Sequence, residues 1–160
     1  MVKTALGAAV DDLVGELAEL AVARGIRLAV AESLTGGQLA AALAAAPDAG
    51  DWFRGGIVAY HPEVKYDLLD APRGPVVTGP TAEAMASSAA RLLGAECSVA
   101  VTGVGGPEPD EGKPAGTVYL STWHDSEPRT ELHRFRGDPL DVMRQTIEAA
   151  LRALVSRVRE

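Results

Sequence analysis

The chain has few of the residues that form disulfides and metal sites. One of its 160 residues is a cysteine, Cys97, and three are histidines. A single thiol excludes an intrachain disulfide and a cysteine-based zinc site. No H-E-x-x-H pair and no calcium-loop spacing of carboxylates occurs either. We therefore expect no metal and no cofactor, and we interpret Cys97, in the apolar run "CSVAVTG", as a small core residue.

Basic residues are also scarce. Fifteen Lys and Arg stand against 22 Asp and Glu, a net charge of −7. Because nucleic-acid binding needs clustered positive charge to neutralise phosphates, this balance predicts no nucleic-acid partner. The densest basic stretch, Arg129, Arg134 and Arg136, is interrupted by Glu131, and we interpret it as a solvated strand face.

Long apolar runs and aromatic residues are missing as well. Aromatics make up 4% of a chain that is 47% hydrophobic, so the core must be built mostly from Ala, Val and Leu. No segment approaches the roughly 18 consecutive apolar residues of a membrane span. The N-terminal segment lacks the charged and apolar regions of a signal peptide. We therefore expect a soluble, cytoplasmic protein with no membrane partner.

Apolar periodicity, glycines and prolines divide the chain into alternating helices and strands. The predicted helices span residues 8–23, 35–46, 80–94 and 139–158, with one further helical turn from Pro62. The predicted strands span residues 26–33, 55–60, 97–103, 117–124 and 130–135, the last two joined by the turn "DSEPR". Helices that alternate with strands before a terminal hairpin favour an α/β fold, a three-layer α/β/α sandwich with a mixed sheet. No linker is visible, and we expect a single domain over residues 1–160.

The segment "ESLTGG", residues 32–37, lies between the first predicted strand and the second predicted helix. Ser33 and Thr35 are residue types preferred at helix N-caps, and capping alone would explain them. Gly36 and Gly37 in a first helical turn cost about 1 kcal/mol each relative to alanine, but they let a ligand approach the backbone closely. Amides at a helix start can hold a phosphate or an oxyanion. Capping, anion binding and nucleophilic catalysis by Ser33 all stay open at this point.

A serine nucleophile needs a base, and the chain offers three histidines and three lysines. His61 and Lys65 follow the second predicted strand and are the candidates. Partial burial among apolar neighbours would favour the neutral form of Lys65, although a surface position is the simpler interpretation of Lys65 taken alone. The other four are interpreted as solvated: Lys3, Lys113, His124 and His133.

The glycine-rich segment "VGGPEPDEGKPAG", residues 104–116, follows the predicted central strand and is predicted to be a loop. It matches neither the P-loop pattern nor the dinucleotide-binding fingerprint. It is, however, the third glycine-containing turn at a strand end. Ligands gather at the carboxyl ends of strands in open α/β sheets, so these turns together indicate a ligand site.

Five segments together resemble one known family. In chain order they are "AESLTGG" (31–37), "GGIVAYHPEVK" (55–65), "AEAMA" (82–86), "VAVTGVGGPEPDEGKPAGTVYLS" (99–121) and "FRGDPLDVMRQTIEAAL" (135–151). The family is the CinA C-terminal domain, the nicotinamide-nucleotide amidohydrolases. The resemblance spans nearly the whole chain and implies the fold of that family.

The resemblance also implies a reaction. Members of the family hydrolyse the carboxamide of nicotinamide mononucleotide to nicotinate mononucleotide and ammonia, without a metal. The matching positions assign Ser33 as the nucleophile, Lys65 as its base and Tyr60 as an assisting hydroxyl. Helix capping is then left to Thr35.

For substrate binding, the resemblance implies turn and loop residues together with one arginine: Thr35, Gly36, Gly37, Thr102, Gly105, Gly106 and Arg144. Backbone amides of the 33–37 turn would stabilise the oxyanion. Arg144 would pair with the phosphate, a task that suits a guanidinium. The expected partner is thus a small-molecule nucleotide, and we expect the protein to be a homo-oligomer.

Three features depart from the family pattern. His61-Pro62 stands where the family has Ser-Asn, and Pro139 stands where it has an arginine. The usual N-terminal molybdopterin-binding-like domain is missing, which predicts a stand-alone form. The two substitutions favour a second function, a non-catalytic nucleotide-binding or interaction module, whereas the retained catalytic residues favour the enzyme. A DNA-acting protein, suggested by the family's association with competence, is opposed by the charge of −7.

Overall fold

The computed structural model describes residues 3–160, which form six helices and one five-stranded sheet. The helices are α1 (Ala8–Arg24), α2 (Gln38–Ala44), α3 (Ala49–Trp52), α4 (Pro62–Asp67), α5 (Gly79–Leu93) and α6 (Pro139–Val158). The strands are β1 (Leu28–Glu32), β2 (Phe53–Val58), β3 (Cys97–Gly103), β4 (Thr117–His124) and β5 (Glu127–Arg134). Every predicted helix and strand is present with its ends shifted by at most a few residues, and the four-residue helix α3 is an addition to the prediction.

The sheet has the strand order β2-β1-β3-β4-β5. β1 pairs in parallel with β2 and β3, whereas β4 is antiparallel to β3 and β5, so the predicted mixed sheet is confirmed. At its centre Val30 lies opposite Gly56 of β2 and Val99 of β3. The chain moves from β1 outward to β2 and then returns to the other side of β1 for β3. This reversal creates a crevice at the carboxyl ends of β1 and β3, the usual ligand position in open α/β sheets.

Helices cover both faces of the sheet, as a three-layer sandwich requires. On one face, apolar residues of α1, α2 and α6 pack with alternate strand residues such as Leu28 and Val30. On the other face, α5 packs Met85 and a row of alanines against Ala31 and Ala100. The core is made mostly of Ala, Val and Leu, as the low aromatic content predicted.

The hairpin between β4 and β5 turns more tightly than predicted. The sequence "DSEPR" predicted a five-residue turn, but only Asp125 and Ser126 lie between the strands, with φ of 51° and 60°. Positive φ at both central residues is typical of a two-residue hairpin. Pro128 lies within β5 opposite Trp123, and β5 is an edge strand, which tolerates the missing N–H of proline. The predicted turn was wrong because Pro128 was placed in it.

One buried cation ties the C-terminal end of α6 to this hairpin. Arg157 is 2% exposed, and its guanidinium donates to Thr122 Oγ1 at 3.1 Å, His124 O at 2.9 Å and Glu127 O at 3.0 Å. Glu160 Oε2 lies 3.5 Å from Arg157 Nε. These bonds join the last turn of α6 to both strands of the hairpin.

The one cysteine is part of the core. Cys97 is fully buried at the first position of β3, which confirms its interpretation as a core residue. Burial raises the pKa of its thiol to about 12. The thiol is therefore uncharged at neutral pH, and only the thiolate is a strong nucleophile.

Candidate active site

A cavity of about 720 Å³ opens at the carboxyl ends of β1 and β3. It is lined by five segments: residues 33–34 after β1, 60–65 before and within α4, 76–77 before α5, 102–111 from the end of β3 into the loop that follows, and 139–143 at the start of α6. Small-molecule sites have volumes of about 300–1,000 Å³, so the cavity has the size of a ligand site. The fold thus gathers Ser33, Lys65 and the glycine-rich loop around one space.

Glu32 organises the turn that carries Ser33. It is the last residue of β1, and its side chain is fully buried. Glu32 Oε1 accepts from Thr35 Oγ1 at 2.6 Å and from Leu39 N at 2.9 Å, and Oε2 accepts from Ala40 N at 3.0 Å. The carboxylate therefore satisfies two of the amides that the start of α2 leaves free. The prediction that Thr35 caps this helix was wrong, because its hydroxyl donates to Glu32 instead.

Ser33 follows Glu32 directly. It is 7% exposed and lines the cavity. The Gly36 N–H donates to the Ser33 carbonyl at 3.0 Å and closes a tight turn. Gly36 and Gly37 have φ of 57° and 99°, a backbone conformation that glycine adopts without strain. Within the described residues Ser33 Oγ has no hydrogen-bond partner, so the hydroxyl is available to a ligand.

Lys65 lines the same cavity and is only 2% exposed, so its interpretation as a surface residue is wrong. Its Nζ donates to the carbonyl oxygen of Tyr60 at 3.1 Å. Burial lowers the pKa of Lys65, and the negative charge of Glu111 opposes this in part. An amine whose neutral form is favoured in this way can accept a proton. In the described part of the chain, no hydrogen bond joins Lys65 Nζ to Ser33 Oγ.

Tyr60 lies at the mouth of the cavity and is 71% exposed. Its carbonyl oxygen, and not its hydroxyl, bonds Lys65. The next residue, His61, caps α4, because its Nδ1 accepts from Glu63 N at 3.1 Å and Pro62 occupies the first helical position. The His61-Pro62 departure from the family pattern therefore builds a helix start that still delivers Lys65 to the cavity.

The glycine-rich loop forms another wall of the cavity, to which Thr102, Gly105 and Gly106 all contribute. Gly106 has a φ of 86°, and an added Cβ would come within 2.9 Å of Ala115 Cβ, so this position requires glycine. Thr102 is buried, and its hydroxyl donates to Val76 O at 2.9 Å. Thr102 therefore supports the wall through a protein contact.

Two loop residues differ from the prediction: no motif indicated Glu111, and Lys113 is not a solvated side chain. The Glu111 carboxylate accepts the N–H groups of Val76 and Val77 at 2.8 to 3.0 Å. Lys113, interpreted as solvated, is half-buried and donates its Nζ to Val77 O at 2.7 Å. A charged run in a loop is typical of solvated side chains. Since only the fold brings residues 76–77 beside the loop, no local signal indicates these bonds.

Four of the predicted substrate-binding residues lie outside the cavity lining: Thr35, Gly36, Gly37 and Arg144. Arg144 is exposed on α6, one residue after Met143, which does line the cavity. Asp138 caps α6 in a capping box with Asp141, and Pro139 occupies the first helical position. The departure at Pro139 thus forms a regular helix start that reaches the cavity.

Residues 3–160 contain neither a candidate metal centre nor a candidate membrane-spanning helix. No group of three or more His, Cys, Asp or Glu side chains there is arranged to hold a metal ion. No helix among them is both long enough and apolar enough to cross a membrane.

The strand order and the cavity at the strand ends define a mixed-sheet α/β protein with a cavity at its topological switch point, the position where open α/β sheets bind ligands. The family model of the CinA C-terminal domain matches residues 10–158. The chain therefore belongs to the CinA C-terminal domain family, as its motifs indicated.

Relatives and solved structures agree with this assignment. A CinA-like protein of Frankia casuarinae is 41% identical over 159 residues, which cover 93% of this chain and 37% of that protein. Protein YdeJ of Escherichia coli is 35% identical, with 91% of this chain and 88% of that protein covered. The crystal structure of the competence damage-inducible protein A from Klebsiella pneumoniae matches with a TM-score of 0.91 and 34% identity, covering 94% of this chain and 98% of that chain. The chain thus spans little more than a third of the CinA-like relative and most of YdeJ.

Proposed function

We propose that this protein is a nicotinamide-nucleotide amidase, which hydrolyses the carboxamide of nicotinamide mononucleotide to nicotinate mononucleotide and ammonia. The observation that carries the proposal is that Ser33 and Lys65, both buried, line one cavity. The Ser33 hydroxyl is available there, and burial favours the neutral amine of Lys65. A serine activated by a nearby lysine is a known variant of the serine–histidine pairing.

The reaction proceeds in two covalent steps. Ser33 Oγ attacks the carboxamide carbon while neutral Lys65 Nζ takes the hydroxyl proton. The C–N bond then breaks, and the Lys65 ammonium gives its proton to the leaving nitrogen, so that ammonia departs and an ester on Ser33 remains. Water attacks the ester carbon with Lys65 as the base, which releases nicotinate mononucleotide and restores the Ser33 hydroxyl. The positive ring nitrogen withdraws electrons from the carboxamide and favours the first attack.

Lys65 must exchange its bond to the Tyr60 carbonyl for one to Ser33 during this reaction. A rotation of the flexible lysine side chain, or one bridging water, makes the exchange, and looser catalytic hydrogen bonds are ordinary in sites without ligand. The hydroxyl of Tyr60, at the exposed mouth, is proposed to assist by contacting the bound substrate.

Backbone amides next to Ser33 are proposed to stabilise the oxyanion. Leu34 lines the cavity, and an added Cβ on Gly105 would lie 3.9 Å from Leu34 Cβ, so the loop and the turn meet there. Gly36 and Gly37 contribute through the shape of the turn. Arg144 stays a proposed phosphate contact outside the cavity lining, next to Met143 on α6.

The test is ammonia release from nicotinamide mononucleotide, followed with a coupled enzymatic assay. We expect Ser33→Ala to lower kcat by at least about 10³-fold, because removal of a nucleophile abolishes covalent catalysis. Ser156→Ala, an exposed serine on α6, is the matched control and is expected to keep wild-type activity. Full activity in Ser33→Ala would exclude Ser33 as the nucleophile. The nucleoside and free nicotinamide, assayed in parallel, define the substrate preference.

One observation favours a second function, a non-catalytic nucleotide-binding module. Lys65 Nζ bonds the Tyr60 carbonyl and not Ser33 Oγ. Calorimetric binding of nicotinamide mononucleotide without any ammonia release would support this module over the amidase.

A further inference from the structure

The dipeptide Val76-Val77, on the cavity wall before α5, has all four of its backbone polar groups bonded to side chains. Thr102 Oγ1 donates to Val76 O at 2.9 Å, and Lys113 Nζ donates to Val77 O at 2.7 Å. Glu111 Oε1 accepts the N–H groups of Val76 and Val77 at 3.0 and 2.8 Å, and its Oε2 accepts from Val76 N at 2.9 Å. Three side chains thus make the backbone hydrogen bonds of this buried segment that a neighbouring strand would otherwise make.

Glu111 is the member of this group that also acts on Lys65. Both residues line the cavity, and the charge of Glu111 raises the pKa of Lys65 against the larger lowering by burial. Although the Glu111 side chain is exposed, two amide donors hold its Oε1 in place. Its negative charge therefore occupies a defined position beside the cavity.

We propose that Glu111 is a positioning residue for the Ser33–Lys65 pair, since its carboxylate holds the 76–77 wall in place and puts a fixed negative charge on the cavity that Lys65 also lines. The proposal rests on the proposed amidase function. Glu111 itself touches no reacting atom in this scheme and acts through Lys65 and the wall.

Other ionisable groups belong to the segments around Lys65. They are Glu32 after β1, Tyr60 at the mouth, His61, Glu63, Tyr66 and Asp67 on α4, Glu108, Asp110 and Lys113 on the loop, and Asp138, Asp141 and Arg144 at the start of α6. Glu111, and none of these other groups, is the charge that alters the pKa of Lys65.

The role of Lys65 as a base decides in which direction the pH profile of kcat/KM shifts when the charge of Glu111 is removed. The value of kcat/KM rises with pH as Lys65 loses its proton. Without the charge of Glu111, burial acts unopposed and the pKa of Lys65 falls further. The rise of kcat/KM then moves to lower pH.

Two substitutions separate the effect of the Glu111 charge from the effect of its hydrogen bonds to Val76 and Val77. Glu111→Gln removes the charge and keeps the carbonyl oxygen at the Oε1 position, which already accepts both amides. Glu111→Asp keeps the charge and is one methylene too short to keep those bonds. Glu19→Gln, an exposed residue on α1, makes the same change in net charge away from the cavity and is the control.

The experiment measures the Lys65 titration by NMR on protein labelled at the lysine Cε, together with the pH profile of ammonia release. Assignment is simple because the chain has three lysines, and Lys65→Met identifies the signal. We expect Glu111→Gln to move both the titration and the rise of kcat/KM to lower pH. Glu111→Asp should leave the titration near that of the wild type and raise KM about threefold to tenfold, the value of one or two lost hydrogen bonds.

Clear outcomes overturn the proposal. They are an unchanged Lys65 titration in Glu111→Gln, an equal shift in Glu19→Gln, or an unchanged KM in Glu111→Asp. If Glu111→Asp does not fold, as judged by circular dichroism, the near-isosteric Glu111→Gln decides alone. Wild-type protein that releases no ammonia refutes the amidase, whereas the NMR titration still measures the effect of Glu111 on Lys65, so the two failures are distinguishable.

Discussion

Lys65 and Arg157 are both cations that are 2% exposed, and the fold surrounds them in opposite ways. Arg157 donates to three protein oxygens and has an ion pair with Glu160. Among residues 3–160, Lys65 has one hydrogen bond, to the Tyr60 carbonyl, and it lines the cavity. Arg157 holds a helix to a hairpin, whereas Lys65 has few partners and lies beside an open cavity.

The difference teaches that burial alone does not make a cation reactive. A guanidinium keeps its proton, and its hydrogen bonds compensate for lost hydration. A lysine amine with a single partner is compensated poorly, so its neutral form is favoured. Burial, few partners and an adjoining cavity together are the features that distinguish Lys65, the proposed base, from Arg157.

The largest expected effect is the loss of activity in Lys65→Met. Removal of the proposed base should lower kcat for ammonia release by about 10²–10⁴-fold. Thermal unfolding should show stability equal to or above that of the wild type, because an apolar side chain of similar length replaces a poorly compensated amine. Lys3→Met is the control, and wild-type kcat in Lys65→Met would remove Lys65 from the mechanism.

Arg157→Met should lose stability and keep activity, the reverse of what is expected for Lys65→Met. The His124 and Glu127 carbonyls lose their donor inside the protein, and we expect the free energy of unfolding to fall by about 2–4 kcal/mol. Ammonia release by the folded fraction should be unchanged. Urea denaturation measures the loss, with the exposed Arg152→Met as a control that should change stability by less than about 0.5 kcal/mol. Equal losses in the two variants would contradict the comparison.

Glu32→Gln tests whether a buried anion with a full set of donors also acts structurally. The amide keeps one acceptor oxygen but places an NH₂ group against the N–H of Ala40. We expect a stability loss of about 1–2 kcal/mol by urea denaturation. Glu19→Gln serves again as the exposed control, and a Glu32→Gln protein as stable as this control would show that the bonds at the start of α2 contribute little.

The smallest effect is the contribution of Lys65 to the pH dependence of stability, which the comparison with Lys65→Met isolates. Its folded-state pKa lies below the ordinary value of 10.5. Between these two values the unfolded chain binds more protons than the folded one, so stability rises with pH in that window and is flat below it. The difference in unfolding free energy between wild type and Lys65→Met should therefore change in favour of the wild type as pH approaches 10.5. A pH-independent difference would contradict the lowered pKa.

Much of the fold was predictable because local signals encode it. The helix α1 follows from its apolar spacing and from Gly25, whose φ of 63° ends it. The continuous apolar run of β3 indicated a central strand, which is confirmed. The start of β5 was missed because proline is a turn signal unless the strand lies at an edge, and strand order is not a local property.

Only those residues of the candidate site that belong to a sequence motif were predictable. The motifs indicated Ser33 and Lys65, and the structure brings both to one cavity. Glu111 was missed because its partner Val76 is 35 residues away in the sequence, and the same separation divides Arg157 from Thr122. Glu32 was overlooked for a different reason, since a strand-end carboxylate that reaches the next helix resembles an ordinary charged boundary residue.

The burial of Cys97 has a practical consequence. Its thiol, with a pKa of about 12, is inert toward alkylating reagents at neutral pH, so the native chain behaves as a cysteine-free background. A cysteine introduced at the exposed position of Leu140, which lines the cavity and has no proposed part in the reaction, would react alone with a maleimide fluorophore. The emission of that single dye at the cavity mouth would report ligand entry directly, without any further engineering of the protein.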